Sequence, residues 1–291
     1  MIAKQEIMDF AREFSLPVNT IEKDYVLGWL LAGIANDTEL FEKWIFKGGT
    51  CLKKCYFETY RFSEDLDYTL TDANHIDETF LTDHFKHIGK WIYEAIGIEI
   101  IENTIRFEIY QNNNGKTIVE GRFNYVGPLQ RRNNPYRIKL DLTAEEILVL
   151  PPVLQNVYHP YSDIPSDKTK AFCYSLSEVF AEKIRALSER ARPRDLYDVI
   201  HLYNHASGEK PTVILDVLKK KCKYKAIPLP TMELMTKHAK LHELESEWSN
   251  MLSHQVPMLP PKKQFWQELP NMFAWLHGVV GFCSTNEIKY P

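Results

Sequence analysis

At 291 residues, with 44% hydrophobic and 25% charged side chains, the chain carries enough apolar material for one large domain or two ordinary ones. A net charge of −4 excludes a general attraction to polyanions, so any nucleic-acid contact has to come from local patches. No apolar run reaches the length of about 18 residues that a membrane span needs, and the acid-bearing, amphipathic start MIAKQEIMDFAREF lacks the features of a secretory signal, so a cytoplasmic protein is expected.

Taken in chain order, residues 2–14 and 20–35 read as helices split by Pro17, the second with Asn19 or Thr20 as its N-cap. Residues 43–47 read as a short strand ending at Gly48-Gly49, 50–57 as a helix, 61–70 as a strand, and 77–96 as a helix with apolar groups at helical spacing. Residues 98–110 and 117–126 read as a hairpin about the turn Asn112-Asn113-Asn114-Gly115. YRIKLDLT at 136–143 is a further strand, and the proline-bearing stretch 150–168 reads as an extended connector. Helices are expected at 175–190, 193–206, 211–222, 231–254 and 262–278. The pattern predicts an α+β fold: a mixed sheet flanked by helices over 1–165, then a mainly helical domain over 166–291.

The stretch IFKGGTCLKKCYFETYRFSEDLDYTL, 45–70, holds the first chemistry. Two glycines after a strand let the backbone approach a ligand, and a helix from Thr50 aims free N–H groups at the same point, which suits a phosphate; a plain tight turn is the alternative. On the strand that follows, Ser63, Asp65, Asp67 and Thr69 share one face. Carboxylates at i and i+2 lie roughly 6–7 Å apart at their Cα atoms, and a divalent cation would relieve their repulsion; a solvated strand face is the alternative. In YRIKLDLT, Lys139 and Asp141 share a face, offering a third carboxylate for a phosphoryl-transfer site.

Further on, in SLSEVFAEKIRALSER, Lys183 falls at about 100° per residue within the apolar arc of Leu176, Val179, Phe180, Ile184 and Leu187. There it needs a carboxylate or phosphate partner unless it snorkels to water, while Glu178, Glu182 and Arg185 fall on the far side. Asp195 and Asp198 open the next helix, where they suit its dipole and could pair with Arg192 and Arg194. Lys23-Asp24 reads as a surface pair. Arg131-Arg132 and the run Lys219, Lys220, Lys221, Lys223, Lys225 are the candidate polyanion contacts, or simply solvated faces. The five cysteines, Cys51, Cys55, Cys173, Cys222 and Cys283, are odd in number and scattered, which suits reduced thiols. Cys51 and Cys55 share a helix face but have no second Cys/His pair at zinc-site spacing, and they read as small core residues.

In order, Glu22-Lys-Asp-Tyr25, Lys47-Gly-Gly-Thr50, Arg61-Phe-Ser-Glu-Asp-Leu-Asp67, Lys139-Leu-Asp141, Ala181-Glu-Lys-Ile-Arg-Ala-Leu187 and Arg194-Asp-Leu-Tyr-Asp198 resemble the AbiEii/AbiGii nucleotidyltransferase toxins of the DNA polymerase β-like superfamily. The resemblance covers roughly 20–200; beyond that the chain matches only as helical. It implies a minimal nucleotidyltransferase core, a toxin of an abortive-infection or toxin–antitoxin pair, and transfer of a nucleotide from an NTP to an acceptor hydroxyl. In the MenT-like group that acceptor is the 3′ end of tRNA. Residue by residue, Lys47, Gly48, Gly49 and Thr50 would hold the triphosphate with Ser63, and Asp65, Asp67 and Asp141 would bind Mg²⁺ or Mn²⁺. Asp141 would help activate the hydroxyl, and Lys183 and Asp198 would match the later catalytic motifs, with Asp195 beside them. The implied partners are an NTP, RNA and an antitoxin protein encoded nearby. Two further readings stay open: an NTP-binding module without transfer, and transfer to a protein or small-molecule hydroxyl, with Ser63 itself a possible acceptor.

Overall fold

Asp65, Leu66, Asp67 and Tyr68 alternate half-buried and buried, and the same alternation on the neighbouring strands separates one face of a sheet from the other. A computed structural model describes residues 1–111, 115, 117–163, 169–205 and 207–279. The expected turn residues Asn112, Asn113 and Asn114, and Cys283, lie outside the described residues.

The chain opens with α1 (Lys4–Glu13) and α2 (Val18–Asn36). Helix α2 starts before the expected 20, with Pro17 at its N-cap position. Thr20 instead donates its hydroxyl hydrogen to the His254 carbonyl, 3.1 Å away. Strand β1 (Trp44–Lys47) runs directly into a four-residue helix, α3 (Gly48–Cys51), which widens into a π-helical turn over Leu52–Tyr56. Strand β2 (Asp65–Leu70) is shorter than expected because Arg61–Glu64 lie outside it. Helix α4 (Glu78–Ile96) is capped by the Asp77 carboxylate and ended by Gly97 in the left-handed region. The expected strand 98–110 is broken by a turn at Glu102–Thr104 into β3 (Glu99–Ile100) and β4 (Arg106–Gln111). Strands β5 (Thr117–Val126) and β6 (Tyr136–Thr143) follow. The connector at 150–168 contains a strand, β7 (Val153–Asn156), and β8 (Lys170–Cys173) comes after it.

The sheet order is β3-β5-β6-β2-β1-β8-β7, with β4 paired to β5. It is mixed: β2 runs parallel to β6 and β1 parallel to β8, while β1–β2 and β5–β6 are antiparallel. One face buries Leu66, Tyr68, Val119, Phe123, Ile138, Leu140 and Leu142 against α2 and α4. The opposite face carries Asp65, Asp67, Lys139, Asp141, Glu120 and Arg122.

The remainder is helical: α5 (Leu176–Arg190), α6 (Pro193–Asn204), α7 (Pro211–Tyr224), α8 (Met232–Thr236), α9 (Leu241–Ser246), α10 (Trp248–Leu252) and α11 (Lys262–Leu276). The expected helix 231–254 is thus three short ones. His238 marks the first break, its Nδ1 accepting the Lys240 amide and diverting it from the helix. Two units result. The first is Met1–Glu146 with Pro152–Tyr174 and His254–Pro257; the second is Ile147–Pro151, Ser175–Ser253 and the chain from Met258. The passage from sheet to helices falls at Tyr174–Ser175, because β8 belongs to the sheet.

Candidate active site

The antiparallel pairing of β1 with β2 sets Lys47 opposite Asp67, so the chain leaves β1 beside that carboxylate. Gly48 turns there with φ +80°, and a Cβ on it would stand 2.1 Å from Asp67 Oδ2. Only glycine combines that conformation with that approach. A Cβ on Gly49 would meet Arg61 Nη2 at 2.8 Å and Ser63 Oγ at 3.0 Å. Thr50 Oγ1 donates to the Asp65 carbonyl at 2.5 Å. The glycine pair therefore lies directly on Asp67 and Ser63, with its helix pinned to the start of β2. Lys47 is largely buried, its ammonium 5.6 Å from the centre of the Tyr174 ring.

Parallel pairing of β2 with β6 sets Asp67 beside Asp141 and Asp65 beside Lys139, all on the face away from the helices. Antiparallel pairing of β5 adds Glu120 next to Asp141. Reduced hydration, and then the like charges of Asp67, Asp65 and Glu120, push the Asp141 carboxyl up to about 6, with Lys139 acting in the opposite direction. A group of carboxylates that penalises its own ionisation is a fitting oxygen donor set for a hard divalent cation, and Asp65, Asp67 and Asp141 are the residues that could hold one.

The segment between helix and strand is fixed from several sides. Arg61 is buried and donates through Nη1 to Gln255 Oε1 at 2.9 Å, and the Phe62 amide donates to the Gln255 carbonyl at 2.8 Å. Glu64 takes Lys23 at 2.6 Å and His254 at 3.2 Å. Asp24 is 2% exposed, pairs with the fully buried Lys54 at 2.7 Å, and accepts from Tyr161 at 3.0 Å. Burial works against its ionisation, but Lys54 and Lys53 outweigh it and hold the carboxyl below its usual range. Lys23-Asp24 is accordingly no surface pair: α2 is buried nearly all round, and each of the two charges finds its own distant partner. Arg61 and Gln255 were not singled out by sequence. Arg61 stands in the quoted motif, but Gln255 lies far down the chain in a segment with no periodic signal.

In the helical unit, Lys183 on α5 forms an ion pair with Asp198 on α6, Nζ to Oδ2 2.7 Å, and Asp198 is fully buried. The lysine on the apolar arc thus has a carboxylate partner. Asp195 is engaged by Arg190 through Nε and Nη2 at 2.6 and 2.7 Å. Glu178 and Arg185 are buried rather than solvated, because α7 packs on the side of α5 read as its outer face. Glu178 receives Lys221 at 2.7 Å and the amides of Val149 and Leu150. Lys221, read as part of a basic run, is fully buried. Arg131 and Arg132 are exposed and engage Tyr136 and Glu99.

Among the described residues no helix is long and apolar enough to cross a membrane. No curated protein matches the sequence. Solved structures that share the fold include two nucleotidyltransferases, one of them putative. The nucleotidyltransferase toxin MenT4 of Mycobacterium tuberculosis H37Rv is 16% identical with a TM-score of 0.67, over 97% of this chain and 91% of that one. A putative nucleotidyltransferase from Helicobacter pylori is 14% identical with a TM-score of 0.55, over 91% of this chain and 97% of that one. The family model described as nucleotidyl transferase AbiEii toxin, type IV toxin–antitoxin system, matches residues 29–274, and on that match the chain belongs to the AbiEii nucleotidyltransferase toxin family.

Proposed function

We propose that this toxin transfers a nucleotide from an NTP to the 3′ hydroxyl of an RNA, tRNA being the acceptor class, with release of pyrophosphate. The observation that carries the reading is the seating of Gly48 and Gly49 on Asp67 and Ser63, which puts a backbone suited to phosphate beside carboxylates suited to a cation. Lys47, Gly48, Gly49, Thr50 and Ser63 hold the triphosphate. Asp65, Asp67 and Asp141 hold Mg²⁺, or Mn²⁺ in its place, which when bound offsets phosphate charge during the displacement. Asp141, beside Asp67 on the same face, would also help activate the acceptor hydroxyl. Lys183, its ammonium held by Asp198 within the helical unit, and Asp198 itself are the counterparts of the family's later catalytic motifs. Positioning and charge supply most of the acceleration in such a transfer. Membership of a family described as a toxin–antitoxin system supports a cognate antitoxin as partner.

The test is incubation of the protein with total RNA and each labelled NTP, followed by sizing of the product. Labelled RNA of tRNA length, lost in Asp65→Asn and in Asp67→Asn, supports the reading. Undiminished transfer in both variants refutes the site, and label on protein or small molecules instead of RNA refutes the acceptor.

A further inference from the structure

The residue after Thr50 is Cys51, and it does not sit alone. Cys51 and Cys55, on α3 and the π-helical turn, meet Cys173 at the end of β8, with all three sulfurs within 4.8 Å of one another. The sequence shows only the first two as a pair, because the third arrives by the parallel pairing of β1 with β8, which sets Phe46 beside Cys173. None of the three is in a disulfide.

Three points separate this trio from ordinary core cysteines. The first is geometric. A triangle no wider than 4.8 Å places its centre within about 2.8 Å of each sulfur, close to metal–thiolate bonds of about 2.3 Å, so small side-chain adjustments suffice. The second is an orphaned polar atom. The Tyr68 hydroxyl is buried without a hydrogen-bond partner among the described residues, and it lies within electrostatic reach of all three sulfurs. A thiolate there would give it an acceptor, as ligands of bound metals usually have. The third is access. Cys55 is only partly buried and lines a cavity of about 460 Å³ with Lys53, Tyr56, Tyr158 and His159, which gives an ion a way in and room for a further ligand.

We propose that Cys51, Cys55 and Cys173 form a binding site for one thiophilic d¹⁰ metal ion, of the Zn²⁺ or Cu⁺ class, which ties the helix behind the glycine loop to strand β8. Sulfur donors select such ions over Mg²⁺, so this site and the carboxylates take different metals. Binding displaces the thiol protons to solvent and involves no change of oxidation state.

The test titrates the reduced, full-length protein anaerobically with Cd²⁺, reading sulfur-to-metal charge transfer in the ultraviolet. Zn²⁺ affinity is then measured by competition with a chromophoric chelator. A band saturating at one ion per chain is expected, with affinity falling roughly a hundredfold or more in Cys55→Ser and Cys173→Ser and unchanged in a Cys222→Ser/Cys283→Ser double variant. Zn²⁺ should also raise the thermal midpoint of the natural protein and not that of Cys55→Ser, a near-isosteric change at the least buried of the three positions. Absence of a saturable band, its persistence in Cys55→Ser, or its loss in the double variant would each overturn the proposal. No NTP or RNA is present in the assay, so its outcome is independent of the transfer reaction.

Discussion

Gly48 and Asp67 occupy one another's space: a Cβ on the glycine would stand 2.1 Å from the carboxylate oxygen and 2.8 Å from its carbon. Substitution Gly48→Ala therefore meets both a left-handed backbone and a clash with a side chain of the site. It should cost about 1–3 kcal/mol of stability from the backbone alone. Nucleotide transfer should fall at least a hundredfold, because relief comes only by moving the loop or Asp67. Thermal unfolding together with a transfer assay checks this, and full activity in a folded Gly48→Ala protein would show that loop and carboxylate act apart.

The Lys183–Asp198 pair is buried, so removing one partner strands the other. Lys183→Met should destabilise the protein by about 3–5 kcal/mol. A Lys183→Met/Asp198→Leu double variant should recover much of that loss, since apolar replacements relieve both desolvation penalties. If the lysine serves the reaction, the restored protein remains inactive. Recovery of transfer along with stability would reduce the pair to a structural role.

Asp141 gives a pH dependence with a defined sign. Its carboxyl titrates near 6 in the folded protein against an ordinary 3.8. The folded state therefore binds this proton more tightly, and the group's contribution to stability is present below about pH 4 and lost as pH rises through about 6. Denaturant midpoints should show Asp141→Asn gaining on the natural protein between about pH 4.5 and about pH 7.5. Adding Mg²⁺ at about pH 7.5 should raise the midpoint of the natural protein, and Asp67→Asn should abolish that rise.

Asp24 and Lys54 predict the reverse direction with acid. Lys54 is fully buried, and Asp24→Ala should cost about 3–5 kcal/mol by leaving it without its carboxylate. The Asp24 carboxyl titrates below its usual range, so its stabilisation is present above that range and disappears as pH falls through the folded value. A natural protein whose acid unfolding matched that of Asp24→Ala would contradict this.

Much of the sheet site was legible because it is written in local period-two patterns. SEDLD and KLD each declare which side chains share a face, and KGGT declares a turn that only glycine makes easily. What escaped depends on partners remote in the chain. Strand β8 is four residues long, follows a proline-bearing stretch, and owes its existence to edges supplied by β1 and β7. The charges of α2 look solvent-facing until Lys54, Glu64 and the Leu129 amide are brought against them. Glu178 and Lys221 mislead in the same way: each reads as surface on its own helix, and only the packing of α5 on α7 buries both.

The parallel pairing of β2 with β6 has a consequence for the order in which the molecule forms. Asp67 and Asp141 are neighbours across strands but about 70 residues apart along the chain, and Cys173 joins the sheet only after a further 30 or so. The acidic face is thus completed by long-range loop closure, which is slow relative to helix formation. A growing polypeptide that has emerged through β2 holds its glycine loop and first two aspartates without the strand that flanks them, so the constellation first exists as a late product of folding.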